Sequence, residues 1–236
     1  MPRLYVRQPL GEGARVELDA AQANYLGNVL RMKEGAGLLL FDGRSGEWQA
    51  RVAEVGKKRM ALSVERRTCE AEAIPDVWLA FAPVKRSQTD WLVEKATELG
   101  VARLIPVTTR RTVVQRVKLE RLQSIAIEAA EQCGRTVLPE IDEPVPLARL
   151  LEQRDPARTL YFADEAGGEP VTGAFKPGAA TILTGPEGGF TDDERASIRA
   201  ASNAVPVSLG PRILRAETAA LAALATYMAV AGDWRG

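Results

Sequence analysis

A chain of 236 residues, 46% hydrophobic and 26% charged, can fill one large domain or two small ones with a sizeable core. Its formal net charge of +0 argues against a protein that coats nucleic acid non-specifically. With 0 histidines it has no Ser-His-Asp or Cys-His catalysis, none of the common zinc-hydrolase sites and no imidazole general base.

No apolar run is long enough for a membrane span; the best candidate, residues 219–230, reads as a buried helix. The start MPRLYVRQPL lacks a signal-peptide core, so export is not expected. Cys69 and Cys133 form no metal or redox spacing, and a cytoplasmic protein with no metal site and no membrane partner is expected. Of the 31 basic residues 24 are arginine, which suits bidentate phosphate and base contacts, although GC-rich coding produces the same bias.

In chain order, residues 20–31 predict a short helix, and strand-like runs follow at 38–42, 48–55 and 60–66. Asp42-Gly43-Arg44-Ser45-Gly46 and Gly56-Lys57-Lys58 are the turns between them, a pattern that fits a small β-barrel. Residues 68–76, TCEAEAIPD, are polar and closed by Pro75, which predicts a linker. From residue 77 strands alternate with helices. The strands fall at 78–83, 104–107, 160–163, 181–184 and 205–209, the helices at 89–99, 119–133, 192–201 and 217–230. Gly100 and Gly134 occupy C-terminal cap positions, and Thr191 with Glu194 makes a capping box. Such alternation predicts a parallel α/β sheet. In helix 119–133, Ile125, Ala126, Ala129 and Cys133 are expected on the core face.

Two segments of this α/β half carry the chemistry. In TILTGPEGGFTDDE a strand runs into Gly185-Pro186-Glu187-Gly188-Gly189 and then a helix. No GK[ST] follows it and no G-x-G-x-x-G occurs, so neither a phosphate-binding loop nor a dinucleotide fingerprint is present. In SLGPRILRAETAALAAL a strand breaks at Gly210-Pro211 and places Arg212, Arg215 and Glu217 before an Ala-rich helix. Each alone reads equally as an ordinary strand-to-helix turn. Together, both following strands, they point to a ligand read largely through the backbone at the carboxyl ends of the sheet. Lys85-Arg86 and Arg110-Arg111 also follow strands, and with Arg116, Lys118 and Arg121 they form a basic cluster suited to phosphate contacts; the alternative is a solvated basic face.

These two segments, with KRSQTDWLVEKATELGV (85–101), IEAAEQCGR (127–135) and NVLRMKEG (28–35), resemble the bacterial RsmE-type methyltransferases of the SPOUT superfamily. That family modifies N3 of a uridine in 16S ribosomal RNA of the small subunit. The resemblance covers nearly the whole chain. It implies a PUA-like, RNA-binding β-barrel over residues 1–72 and a SPOUT α/β methyltransferase domain with a trefoil knot over 73–236. It further implies a homodimer and the cofactor S-adenosylmethionine. Carried over residue by residue, cofactor contacts fall on Leu183, Thr184, Gly185, Glu187 and Gly188, and on Leu209, Gly210, Ile213, Leu214 and Arg215. Phe162 and Asp164 complete the wall. Arg31 of the VLR segment joins Lys85, Arg86, Arg110, Arg111 and Arg116 as RNA-binding. Many members carry histidine just before that segment; here Asn24 and Tyr25 stand nearby instead.

Methylating N3 of uracil requires loss of a proton and stabilisation of the resulting anion. Arg215, permanently charged with paired donors, is the expected stabiliser. Glu217 or Glu187 is expected to orient it or receive the proton, so Arg215 and Glu217 are the catalytic candidates. Alternatives are another SPOUT RNA methyltransferase, acting on a ribose 2′-hydroxyl or a different base, and a non-catalytic RNA-binding assembly protein.

Overall fold

The computed structural model describes residues 1–56, 59–114 and 116–235. The expected turn residues Lys57 and Lys58 lie outside the described residues. The chain divides into two compact units, Met1–Ala73 with Ala130–Leu138, and Ile74–Ala129 with Pro139–Gly236.

The first unit contains β1 (Arg3–Tyr5), β2 (Arg15–Glu17), helix α1 (Ala20–Asn24), β3 (Gly37–Phe41), β4 (Glu47–Val55) and β5 (Met60–Cys69). The sheet order is β1-β3-β4-β5-β2, with β1 parallel to β3 and the remaining pairs antiparallel. Both edge strands send side chains, Leu4 and Val16, into one core with Leu38, Leu40, Val52 and Leu62, so the sheet is strongly curled. Register shifts along β4 and β5 assist that curling. At the β3–β4 turn, burial opposes ionisation of Asp42. Hydrogen bonds from Ser45, Arg44 and Leu10 win, holding its carboxyl below the ordinary range. Gly46 closes this turn at φ 88, where an added Cβ would stand 2.2 Å from the Cys69 carbonyl oxygen.

Three details differ from the sequence expectation. The helix predicted over 20–31 ends at Asn24 and continues as a π turn, Tyr25–Val29, while Arg31 adopts φ 54. Strand β5 extends to Cys69, so the connection proper begins at residue 70. Cys133 is exposed rather than in the core; Leu122, Ala126, Ala129 and Ala130 are the buried face of its helix. Arg3 explains part of that helix's end: its guanidinium donates to the carbonyls of Ala130, at 2.7 Å, and Gly134, at 3.1 Å, oxygens that a helix terminus leaves unpaired.

In the second unit β6 (Val77–Phe81) leads to α2 (Arg86–Glu98), β7 (Arg103–Thr108) and α3 (Leu119–Cys133). Short strands β8 (Glu140–Ile141) and β9 (Val145–Pro146) precede α4 (Leu147–Gln153) and β10 (Thr159–Ala163). Then come β11 (Glu169–Pro170), α5 (Val171–Ala174), β12 (Ala180–Thr184), α6 (Asp192–Ala200), β13 (Ala204–Ser208) and α7 (Ala216–Val230). Among the described residues the sheet order is β11-β13-β10-β12-β6-β7-β8, with β9 also on β7, and every pairing is parallel.

Strand alternation sorts the core into two layers. Leu79, Phe81, Tyr161 and Ile182 pack with α2, α3, α5 and α7 on one face. Ala80, Leu160, Phe162 and Leu183 pack with Leu147 of α4 and Ile198 of α6 on the other. Central strands buried on both faces explain the uninterrupted apolar runs in the sequence: all five residues of β12 are buried. No helix among the described residues is long and apolar enough to cross a membrane.

Candidate functional site

Strands β13, β10 and β12 are neighbours, and the loops leaving their carboxyl ends enclose a cavity of about 290 Å³. This is where ligands gather in open parallel sheets. The start of α7 completes the wall through Ala216 and Ala219.

The loop after β12 is shaped by its glycines. Thr184, 2% exposed, accepts a hydrogen bond at its carbonyl from the Ala82 N–H at 3.1 Å, which fixes where the loop begins. A Cβ on Gly185 would stand 3.2 Å from the Phe190 ring, so glycine lets Phe190 pack closely beneath the loop without shifting. The Gly189 N–H donates to the Pro186 carbonyl at 2.8 Å, closing a tight turn with Gly189 at φ 67. Thr191 then starts α6 with the expected capping box.

Two neighbouring segments hold this loop. Arg111 Nη1 donates to the Gly188 carbonyl at 2.6 Å and to that of Phe190 at 3.4 Å. Glu194, besides capping α6, accepts the Arg110 backbone N–H at 2.8 Å. The segment after β7 is therefore pinned to the loop after β12.

Asp164, after β10, is buried and lines the cavity. Its Oδ2 accepts from Arg199 Nη2 at 2.6 Å, and Arg195 Nε stands 3.0 Å from Oδ1 without hydrogen-bond geometry. Arg195 also reaches Glu165 and Asp192, both on the solvent side. Thus the carboxylate fastens α6 to the β10 loop at the cavity wall.

The loop after β13 is open. Gly210 takes φ 102 with nothing within 4 Å of a virtual Cβ, and Ile213 is 83% exposed. Arg215 sits at the N-cap position of α7 with an exposed side chain and makes no cap hydrogen bond. Glu217, in the first turn, is only 7% exposed, and its Oε2 has no hydrogen-bond partner. An orphaned buried carboxylate oxygen is unusual; Glu217 itself does not line the cavity, although Ala216 and Ala219 of the same helix do. The uncapped N–H groups and positive end of α7 add a site for negative charge there.

Of the residues carried over from the family resemblance, the cavity is lined by Asp164, Thr184, Gly185, Glu187, Leu209, Gly210, Ile213 and Leu214. Phe162 and Leu183 are 0% exposed, part of the packed layer beneath. Gly188 and Arg215 do not line it, although Leu214 and Ala216 on either side of Arg215 do. Sequence reasoning missed Phe190, Arg195, Ser208 and Ala219 in the wall. Phe190 carried a readable signal, an aromatic directly after a glycine pair; Arg195 carried none beyond its place in a helix. Arg31, Lys85, Arg86, Arg110 and Arg116 are all exposed, Arg31 in the first unit and the others in the second.

Comparison with known proteins adds the following. A family model for an RNA methyltransferase domain matches residues 71–228, and one for an RNA methyltransferase PUA domain matches residues 18–65. Ribosomal RNA small subunit methyltransferase E of Rickettsia conorii is 32% identical over 229 residues, covering 94% of this chain and 93% of the relative. The enzyme of the same name from Neisseria gonorrhoeae, solved bound to S-adenosyl methionine, is 31% identical, with a TM-score of 0.90 over 99% of each chain. A methyltransferase of Legionella pneumophila, solved with bound SAM, is 32% identical, with a TM-score of 0.87 over 98% of each chain.

Proposed function

From the premise that this chain belongs to the ribosomal RNA small subunit methyltransferase E family, we propose that it methylates N3 of a uridine in 16S ribosomal RNA, using S-adenosylmethionine. The observation carrying this reading is that the two Gly/Pro-rich loops, separated in the chain by α6 and β13, wall a single cavity at the sheet's carboxyl edge.

The residues present fit the cofactor. The wall offers backbone from Thr184, Gly185, Leu209 and Gly210, with the apolar side chains of Ile213 and Leu214. Glu217, next in the chain to the wall residue Ala216, keeps a buried carboxylate oxygen without a hydrogen-bond partner. Within this reading Phe162 and Leu183 support the wall from below, Gly188 acts through its loop, and Asp164 holds α6 in place. When bound, S-adenosylmethionine supplies an already activated methyl group, so the protein's task is positioning and charge stabilisation.

Arg215, exposed and flanked in the chain by the wall residues Leu214 and Ala216, is assigned to the uracil oxygens O2 or O4. There its guanidinium offsets the charge left when the N3 proton departs. With no histidine in the chain, the proton passes to Glu217, Glu187 or solvent. Glu217 is buried and close in sequence to Arg215, Glu187 exposed on the opposite loop. The target base must be presented out of its stack. Arg31, Lys85, Arg86, Arg110, Arg111 and Arg116 are assigned to the RNA, with residues 1–72 as an RNA-binding domain and 73–236 as the methyltransferase domain. A homodimer in the cytoplasm belongs to the same reading. So does a trefoil knot, supported by β13 lying beyond β10 while α7 returns to pack on β12 and β6.

Arg215→Ala tests the assignment. Methyl transfer from labelled S-adenosylmethionine to small ribosomal subunits should fall at least about 100-fold, while calorimetry finds the cofactor Kd changed less than about tenfold. Parallel loss of both would place Arg215 on the cofactor instead.

A further inference from the structure

A second cavity in the same unit, of about 150 Å³, lies between the β6–α2 connection and a wall formed by Val114 and residues 116–122. Its floor is apolar, formed by Val84, Val117 and Leu122, and its rim carries Arg86, Arg116, Lys118 and Arg121. The single acidic residue in the wall, Asp90, is already taken: Arg121 Nη2 donates to its Oδ2 at 2.6 Å and Nε to its Oδ1 at 2.9 Å. That bond, outweighing the opposing effect of desolvation, raises the Arg121 pKa further above its ordinary value. The pair is therefore neutral as a unit. Among the described residues the side chains of Arg86, Arg116 and Lys118 have no hydrogen bond or ion pair, and all three are exposed. A chain of zero net charge thus concentrates three unneutralised cations around one apolar hollow.

Position gives this cluster its meaning. Strand β6 pairs in parallel with β12, with Phe81 opposite Thr184. Pro83 and Val84 therefore leave the sheet at the same edge as the Gly185 loop, one strand over. Neighbouring strands are spaced about 4.8 Å apart, so the hollow opens on the same rim as the candidate methyl-transfer cavity. The α2 N-terminus points its uncapped N–H groups to the same place, Lys85 making no cap hydrogen bond. A cationic rim over an apolar floor matches one nucleotide of a strand: phosphate on the guanidinium groups, sugar or base on the hydrocarbon.

We propose that this cavity is a nucleotide subsite that grips the backbone of the substrate RNA strand through Arg86 and Arg116, next to the nucleotide being methylated. The inference rests on the RNA methyltransferase reading above and makes it specific: it names a site where the strand is held. Arg86 and Arg116 bind the phosphodiester, Lys118 adds long-range attraction, and the Arg121–Asp90 pair keeps the wall in shape.

The test uses the full chain and two probes, fluorescent oligouridylate and purified small ribosomal subunits. The double variant Arg86→Ala/Arg116→Ala should lower the slope of log affinity for oligouridylate against log salt by about 0.7 for each lost contact. Methyl transfer at limiting subunit concentration should fall at least about tenfold, with cofactor affinity retained by calorimetry; tenfold corresponds to about 1.4 kcal/mol. Arg86→Lys/Arg116→Lys should keep most of the salt slope. An unchanged slope and unchanged transfer in the alanine variant would overturn the proposal. So would saturable binding of inorganic phosphate that alanine substitution removes without affecting the RNA slope, which would mark a free-anion site. Should the wild-type protein transfer no methyl to subunits, the methyltransferase reading fails, and the oligouridylate slope still reports on the cavity separately.

Discussion

Asp164 and Arg111 each tie separate segments together, Asp164 holding Arg199 of α6 to the β10 loop and Arg111 holding the carbonyls of Gly188 and Phe190. The Asp164 side chain is 1% exposed and takes two guanidinium partners, one of them, Arg199, 44% exposed. Removing a partner from a buried pair costs about 3–5 kcal/mol, and the exposure of Arg199 reduces that here, since water can solvate it once released. Asp164→Asn is therefore expected to destabilise the chain by about 2 kcal/mol, read as a lower urea midpoint with an unchanged m-value. A midpoint within error of wild type would mean that the pairing with α6 contributes nothing net and that Asp164 is held for ligand contact alone.

Among elements, the decisive one is the loop between β12 and α6. Its inner side is set by Gly185 over Phe190, its outer side by Arg111 on the Gly188 carbonyl, and its end by the Thr191–Glu194 box. A hydrogen bond from a charged donor is worth about 1.5–3 kcal/mol. Arg111→Ala should accordingly lower the unfolding free energy by about 1 kcal/mol, below that range because the side chain is exposed, and weaken cofactor binding about tenfold. Unchanged cofactor affinity would show that the loop holds its shape without the clamp, leaving Arg111 wholly to RNA. The strand–helix order, the capping box and the two Gly/Pro-rich loops were legible in the sequence, because apolar runs, Gly, Pro and capping residues act locally. The role of Arg111 was not, since its partner is a carbonyl 77 positions away in the chain. Nor were β1, β2, β8, β9 and β11, which run for only two or three residues each and show no period. Helix α4 was overlooked despite a usable signal: Pro146 at its N-cap, then Leu147, Leu150 and Leu151 at helical spacing.

At the scale of the whole molecule, the parallel sheet sets the chemistry. Five of its strands run side by side in the order β13, β10, β12, β6, β7, and their carboxyl ends share one edge. The loops of the first three build the cavity given to the cofactor; the fourth opens onto the basic hollow; the fifth carries Arg110 and Arg111. One edge thus gathers the cavity proposed for the methyl donor and the basic rim proposed for RNA. No sequence period could have announced the pairing of β10 with β13 on one side and β12 on the other, because that order comes from non-local packing. The property that most sharply separates this protein from a ribose or other base methyltransferase is the atom it methylates. Incubating the protein and labelled S-adenosylmethionine with purified small ribosomal subunits, then digesting the RNA to nucleosides for mass analysis, tests it directly. The account predicts label in 3-methyluridine; label in a ribose-methylated nucleoside or in another base would contradict it.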